Sequence, residues 1–305
     1  NAILTGLLTA AGNSRTPFIV NVAGLVFNVV LDPVLIFGIG PFPELGVSGA
    51  AAATVTAQAL VSLLFFKAVL REKVLFPHLR LWVLVPVKVW REIVRIGVPS
   101  AVQNLIYAGI SMILTRLITG WGDLAVAAQR VGSQIESVSW MVGDGFSAAV
   151  NAFLGQNYGA KRYDRVRRGY FCAIAMTAAW GLCTTFLLIG MARPLFSIFL
   201  QEEEVMAIGV NYLRIVGLSQ MFMMVEQTSI GAFSGLGRTL YPSIVSVTFT
   251  SARIPVAVLL SSVMGLSGIW WALSISSMVK GCILFVSFVL FLYVFLERKK
   301  DEKTV

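Results

Sequence analysis

The stretch LVFNVVLDPVLIFGIG, from Leu25 to Gly40, is almost wholly apolar, yet it contains an amide, a carboxylate and a proline. It lies in the apolar segment 18–39, which is long enough to cross a bilayer because a helical crossing takes roughly 20 residues. A carboxylate is costly within hydrocarbon, so an acid inside the membrane is usually functional. The segment therefore predicts a membrane-spanning helix and, at Asp32, a functional site.

The composition of the whole chain is typical of a protein that crosses the membrane many times. Of its 305 residues, 57% are hydrophobic and 13% are charged, whereas a soluble protein carries about 25% charged residues. The mean hydropathy is +0.82. The net charge of +9 does not indicate a nucleic-acid partner, because basic residues of membrane proteins gather in cytoplasmic loops. We expect an all-α polytopic protein surrounded by membrane lipid.

Eight apolar segments are long enough to span the membrane as helices, and residues 1–11 resemble the end of a further helix. The eight predicted spans are 18–39, 47–66, 97–118, 124–152, 169–192, 205–234, 240–263 and 266–296. Basic residues gather in every second connection, chiefly in 67–95, 161–168 and 298–303. Cytoplasmic loops carry such an excess of Lys and Arg. We therefore expect a multi-pass plasma (inner) membrane protein whose C-terminus is cytoplasmic.

The connection 67–95 is long, basic and amphipathic, with Trp82 and Trp90 among its residues. Segments of this kind often lie in the membrane interface. We expect a cytoplasmic linker that lies partly on the membrane surface, although an ordinary basic loop accounts for the same pattern.

An internal repeat relates the start of the chain to its end. Pro33 and Gly46 match Pro255 and Gly265, each about 220 residues later. Both copies begin at a basic connection, so they share one orientation, as parallel repeats do. Since little sequence precedes the first copy, we expect a truncated first lobe and a parent protein of about twelve helices. The predicted domains are two helices of the first lobe at 1–66, the linker at 67–95, a six-helix second lobe at 96–297 and a cytoplasmic tail at 298–305.

Seven motifs resemble, in order, those of the multidrug and toxic compound extrusion (MATE) family. They are GNSRTPFIVN, NVVLDPVLIFG, GVSGAAAATV, RIGVPSAVQN, AAQRVGSQIES, GQNYGAKRYDRVRRG and GLGRTLYP. The resemblance covers nearly the whole chain and implies two six-helix lobes, arranged as an inverted V around a central cavity. It also implies a monomeric antiporter without a cofactor, which exports small cationic or amphipathic drugs and metabolites in exchange for H⁺ or Na⁺.

Asn28 and Asp32 are four residues apart, so they share one face of a helix. Pro33 cannot donate a backbone hydrogen bond, which should kink the helix and free the carbonyl of Val29. With the hydroxyl of Thr54 on the next helix, these oxygens suit Na⁺ or a transferable proton. The resemblance implies a cation site at the matching positions. A buried Asp32 that only hydrogen-bonds a neighbouring helix is the structural alternative.

Polar residues of the predicted second lobe are candidates for a substrate cavity. They are Gln103, Asn104, Gln129, Glu136 and Glu226, with Met223 as an adaptable apolar wall. Glu226 could attract a cationic substrate or carry a second coupling site, and helix packing is the alternative role for Met223. Arg253 and Lys280 are expected to neutralise buried acids. The predicted helix kinks are at Pro33, Pro99 and Pro255.

Two other function classes compete with an antiporter. A lipid-linked oligosaccharide flippase of related architecture would need a cavity lined by several arginines, and the sequence offers few. An intramembrane enzyme would need two nearby carboxylates or a Ser–His pair. The sequence shows neither pattern, so we predict no catalytic residues. We predict no metal site beyond Na⁺ at Asp32.

Overall fold

The computed structural model describes residues 1–71 and 86–301, and the regular secondary structure within these ranges is α-helical throughout. The helices are α1 (Ala2–Ala10), α2 (Arg15–Phe37), α3 (Gly46–Arg71), α4 (Val87–Thr119), α5 (Asp123–Gly159), α6 (Tyr163–Gly190), α7 (Ala192–Ser197), α8 (Glu203–Gly217), α9 (Gln220–Gly235), α10 (Leu240–Ser251), α11 (Arg253–Met264) and α12 (Leu266–Asp301). The all-α prediction is confirmed, and α1 lies where residues 1–11 were expected to be helical.

Two compact units divide the chain, one of Asn1–Val85 and one of Pro86–Val305. The first contains α1–α3, and the second contains α4–α12. The predicted linker 67–95 overlaps both units, since α3 continues to Arg71 and α4 begins at Val87. Its middle, residues 72–85, lies outside the described residues, so the linker and the domain limits around it stay predictions.

Six helical segments in the described part of the chain are long and apolar enough to cross a membrane, or seven if the bent pair α8–α9 counts as one span. Eight spans were predicted. The predicted span 124–152 lies in α5, whose 37 residues are long enough but include Arg130, Glu136 and Asp144. These polar side chains lower its hydropathy, so a crossing by α5 stays a prediction.

Two of the predicted spans are broken helices. The α8–α9 pair bends by 49° between Gly217 and Gln220. Side chains of neighbouring helices hydrogen-bond to carbonyls at this break. The Thr185 hydroxyl donates to the Gly217 carbonyl at 2.9 Å, and the Ser274 hydroxyl donates to the Ile215 carbonyl at 2.7 Å. Buried carbonyls therefore keep partners where the helical hydrogen bonds end.

The second break separates α10 from α11 at Ala252, three residues before Pro255. Proline has no N–H to donate to the carbonyl four residues earlier, which is that of Ser251. The predicted irregularity at Pro255 is therefore present as a helix boundary. Pro33 and Pro99 lie inside the helices α2 and α4, which continue through them, and the kinks expected there stay predictions.

The two copies of the repeat share a turn and a close helix contact. Gly46 begins α3 and Gly265 directly precedes α12, and their φ angles are positive, at 54° and 63°, a conformation that favours glycine. Three residues later, a Cβ added at Gly49 would lie 2.3 Å from the Leu35 carbonyl oxygen, and one added at Gly268 would lie 2.3 Å from that of Leu260. Both copies therefore need glycine at the turn and at the helix crossing.

Helix α9 is the most enclosed helix of the second unit, and glycines bring its backbone close to its neighbours. A Cβ added at Gly231 would lie 2.3 Å from the Ser147 carbonyl oxygen of α5, and one at Gly235 would lie 2.5 Å from that of Asn151. On the α12 side, a Cβ added at Gly281 would lie 2.4 Å from the Phe222 carbonyl oxygen. Small residues allow such contact between membrane helices.

We expect Gly231→Ala to lower the free energy of unfolding by about 1–3 kcal/mol, because the added methyl group meets backbone that cannot rotate away. Gly109→Ala is the matched control, since Gly109 is also helical but has no atom within 4 Å of an added Cβ. Gly109→Ala should leave the free energy of unfolding unchanged or raise it slightly. Unfolding of the detergent-solubilised protein in increasing SDS measures both effects, and equal losses in the two variants would contradict the account.

Candidate functional site

The predicted cation site in the first unit is partly assembled. The Asn28 amide donates to an Asp32 carboxylate oxygen at 3.1 Å, and both side chains are half-buried on one face of α2. Thr54 is exposed, and its hydroxyl donates to the Ala50 carbonyl of its own helix at 3.0 Å. The structure therefore joins Asn28 to Asp32 and places the Thr54 hydroxyl in a separate hydrogen bond. The coupling role of all three residues stays a prediction.

A cavity of about 400 Å³ in the second unit lies among α4, α5, α8, α9, α11 and α12. Its lining includes the predicted residues Gln129, Glu136 and Met223. It also includes the aromatic residues Tyr107, Trp140 and Tyr212 and the charged residues Asp144 and Arg253. The cavity is therefore polar in part and aromatic in part.

A second cavity, of about 320 Å³, adjoins the first, because Tyr107, Trp140 and Asp144 line both. It contains the remaining predicted residues of the second lobe, namely Gln103, Asn104 and Glu226. The six cavity residues predicted from the sequence thus lie around two neighbouring cavities in one unit.

Glu136 holds both halves of the bent pair α8–α9 against α5. One carboxylate oxygen accepts from the Gln220 amide at 3.0 Å and from the Trp140 indole at 3.3 Å. The other oxygen accepts from the Tyr212 hydroxyl at 3.0 Å. Tyr212 belongs to α8 and Gln220 begins α9, so one carboxylate fixes the two sides of the break through neutral donors.

The predicted Gln129, which lies about two helical turns before Glu136 in α5, reinforces the same arrangement. Its side-chain oxygen accepts from the Trp270 indole of α12 at 3.0 Å. The Trp270 ring packs edge-on against Tyr212, with ring centroids 5.3 Å apart. Gln129 therefore supports the Tyr212 ring that binds Glu136, in addition to lining the cavity.

The expected pairing of buried cations with acids holds for Lys280. Its ammonium lies 2.8 Å from the Glu226 carboxylate, and the two side chains are 6% and 8% exposed. Arg253 differs from this expectation. It donates to the Ser276 hydroxyl at 2.8 Å and to the Ser277 hydroxyl at 3.0 Å, and no carboxylate among the side chains that the structure describes lies within 4.0 Å of it.

Asp144, Trp140 and Tyr107 are cavity residues that the sequence reasoning missed. Asp144 is exposed, lines both cavities and has no hydrogen-bond or ion-pair partner among the described residues. A signal was present in the sequence, because Glu136, Trp140 and Asp144 follow one another at intervals of four residues and so share one face of a helix.

The family model described as MatE matches residues 99–259. The chain is 31% identical over 283 residues to the "probable multidrug resistance protein NorM" of Thermotoga maritima, an alignment that covers 88% of this chain and 58% of that protein. It is 26% identical over 280 residues to the "FAD transporter" of Shewanella oneidensis, which covers 90% of this chain and 61% of that protein. The chain thus spans 58% and 61% of the lengths of these two relatives.

Solved structures of MATE transporters have the same fold. A mutant of the MATE transporter VcmN from Vibrio cholerae matches with a TM-score of 0.81 at 22% identity, over 96% of this chain and 66% of that one. A transporter of the MOP superfamily from Pyrococcus furiosus matches with a TM-score of 0.87 at 20% identity, over 97% of this chain and 66% of that one. The fold class predicted from the sequence is confirmed.

The buried pair of Lys280 and Glu226 predicts a double-mutant result. Lys280→Met should lower the free energy of unfolding by about 3 kcal/mol or more, because it leaves a buried carboxylate without its partner. Adding Glu226→Gln removes that charge and should restore most of the loss. Unfolding in SDS near neutral pH measures both variants.

Arg193→Gln is the control for this test, since it breaks an ion pair of similar length, 2.7 Å from Glu203, whose side chains are 67% and 71% exposed. It should have little effect, because exposed ion pairs contribute little. A double variant as unstable as Lys280→Met would show that the buried pair is not the stabilising unit.

Proposed function

The chain belongs to the MatE family, and on that premise we propose that it acts in a secondary antiporter that exports small cationic or amphipathic compounds in exchange for H⁺ or Na⁺. The observation that carries this proposal is the pair of adjoining cavities in the second unit. They are lined by acids, aromatic rings and Met223, and they lie among helices that include membrane-spanning ones.

The chemistry of the cavity lining favours amphipathic cations. Asp144 is a carboxylate without a protein partner among the described residues, so it is free to meet a positive charge. Trp140 and Tyr107 offer aromatic faces, which attract cations and accommodate apolar rings. Glu226 is less suited to this role because Lys280 already neutralises it. The multidrug name of the Thermotoga maritima relative agrees with this substrate class.

We assign the coupling of transport to an ion to the first unit. Asp32 is half-buried in a helix apolar enough to cross the membrane, and Asn28 orients its carboxylate. Binding of H⁺ or Na⁺ there would favour one of two conformations that expose the cavity to opposite sides of the membrane. The breaks after Gly217 and at Ala252 supply positions where helices can bend.

The membrane orientation follows from the basic connections, which we assign to the cytoplasm together with the C-terminus. Two contacts support a common side. Arg167, just after the α5–α6 connection, donates to the Tyr293 hydroxyl of α12 at 2.7 Å. Arg238, in the α9–α10 connection, lies over the Phe291 ring of α12 at 4.5 Å. Both connections therefore lie at the C-terminal end of α12, as the charge pattern requires of a plasma (inner) membrane protein.

A lipid-linked oligosaccharide flippase is less well supported. Such a cavity would present several free cations to a phosphate-bearing lipid, whereas the two cavities described here offer Arg253 and a Lys280 already paired with Glu226. We therefore retain export by a monomeric antiporter without an enzymatic step or a cofactor.

Asp32→Asn in the full-length protein should abolish gradient-driven efflux of ethidium from proteoliposomes, because it removes the titratable charge and keeps the side-chain shape. Folding should survive, since the change removes a costly charge from the membrane. Asn28→Ala should weaken efflux less, because it removes a hydrogen-bond partner and not the carboxylate.

Glu44→Gln is the matched control, because Glu44 is an exposed acid in the connection after α2. It should transport ethidium at the unmodified rate. Efflux at that rate by well-folded Asp32→Asn protein would show that Asp32 does not couple transport to an ion.

A further inference from the structure

Arg253 carries a buried positive charge whose partners in the described part of the chain are neutral. Its residue is 6% exposed, and its guanidinium donates to the hydroxyls of Ser276 and Ser277. The Tyr107 phenol lies beside it as a third neutral group. A guanidinium has five N–H donors in a planar fork, the two serine hydroxyls take two of them, and Arg253 lines the cavity.

Three other charged residues around the cavities, Glu136, Glu226 and Lys280, already have partners. Lys280 and Glu226 neutralise each other at 2.8 Å. Glu136 accepts hydrogen bonds from the neutral side chains of Trp140, Tyr212 and Gln220. Arg253 lies beyond 4.0 Å of every described carboxylate, so Glu136 can balance its charge only from a distance. A buried cation without an adjacent anion is costly, and such residues commonly mark the path of a substrate.

The same cavity presents an acid of its own. Asp144 lines this cavity, carries a charge opposite to that of Arg253, and has no partner among the side chains that the structure describes. The aromatic rings of Tyr107 and Trp140 belong to the same lining. One cavity of about 400 Å³ therefore combines a cation, an acid and apolar rings.

We propose that this cavity selects amphipathic zwitterions, whose carboxylate binds Arg253 and whose cationic group lies toward Asp144. The inference rests on the proposed function and adds, within its class of cationic compounds, a preference for those that also carry an anionic group. A planar guanidinium binds a carboxylate through two parallel hydrogen bonds. A ligand that lacks the carboxylate leaves the buried guanidinium donors unmatched, and sites of that kind discriminate strongly against such analogues.

Two rhodamine dyes test the proposal because they differ in one group. One is a zwitterion with a free carboxylate, and the other is its ethyl ester, which keeps the cationic ring system. Their dissociation constants for the full-length protein are measured by fluorescence anisotropy in detergent. The unmodified protein should bind the free acid at least about tenfold more tightly than the ester, a ratio that corresponds to about 1.4 kcal/mol.

Arg253→Gln should remove the preference by weakening acid binding, while ester binding stays unchanged. Arg214→Gln is the matched control, because Arg214 is exposed on α8 and does not line either cavity; it should keep the full preference. Arg253→Lys keeps the charge but loses the planar fork, so it should show a reduced preference, and it replaces Arg253→Gln if that variant does not fold.

The outcomes separate this inference from the proposed function. Equal binding of the two dyes by the unmodified protein, or an unchanged preference in the Arg253 variants, would overturn the zwitterion proposal and leave export of cations standing. Either result would mean that Arg253 only balances the charge of Glu136 at long range. Failure of both dyes to bind would overturn the zwitterion proposal and also the role of the cavity in the proposed function.

Discussion

The close backbone contact of α9 with its neighbours is the constraint on which the second unit depends. Gly231 and Gly235 bring α9 against α5, and Gly281 brings α12 against α9. In a membrane, where apolar side chains gain little by leaving lipid, such contact supplies much of the helix association. It also fixes the position of α9 residues that contact or line the cavities, among them Gln220 and Glu226. A larger residue at any of these glycines would displace the cavity walls together with the helix.

The charges of the second unit follow from this enclosure. Glu226 lies deep in α9 and has Lys280 of α12 as its partner. Glu136 uses neutral donors to hold α8 and α9 on either side of their break. A carboxylate so bound is a structural tie across a bend as well as part of a cavity wall. Asp144 and Arg253 are then the charged residues of the cavity lining that can bind a ligand. The cavity lining therefore suggests a more specific substrate than the apolar composition of the chain does.

Much of this arrangement could be predicted from local sequence, and the rest depends on tertiary contacts. The spacing of Asn28 and Asp32 predicted that they share a helix face, and the structure shows a hydrogen bond between them. Pro255 predicted a kink, and the structure shows a boundary between α10 and α11 three residues before it. The α8–α9 break has no proline and only Gly217 and Ser219 as local signals of a helix end and a helix start. It also depends on hydrogen-bond donors from α6 and α12 to its carbonyls. Arg253 was expected to meet an acid, yet its partners are serines of α12. No periodicity in one helix reveals which side chain of another helix lies opposite.

Substrate protection of a single cysteine tests most directly whether the cavity of the second unit binds the substrate. Ser133 lines this cavity and is exposed. In full-length protein whose native cysteines are replaced by serine, Ser133→Cys should react with a small maleimide, and saturating ethidium should slow that reaction. A cysteine at Ser197, partly exposed on α7 and outside the cavity lining, should react at the same rate with or without ethidium. A Ser133→Cys labelling rate that ethidium leaves unchanged would contradict the account.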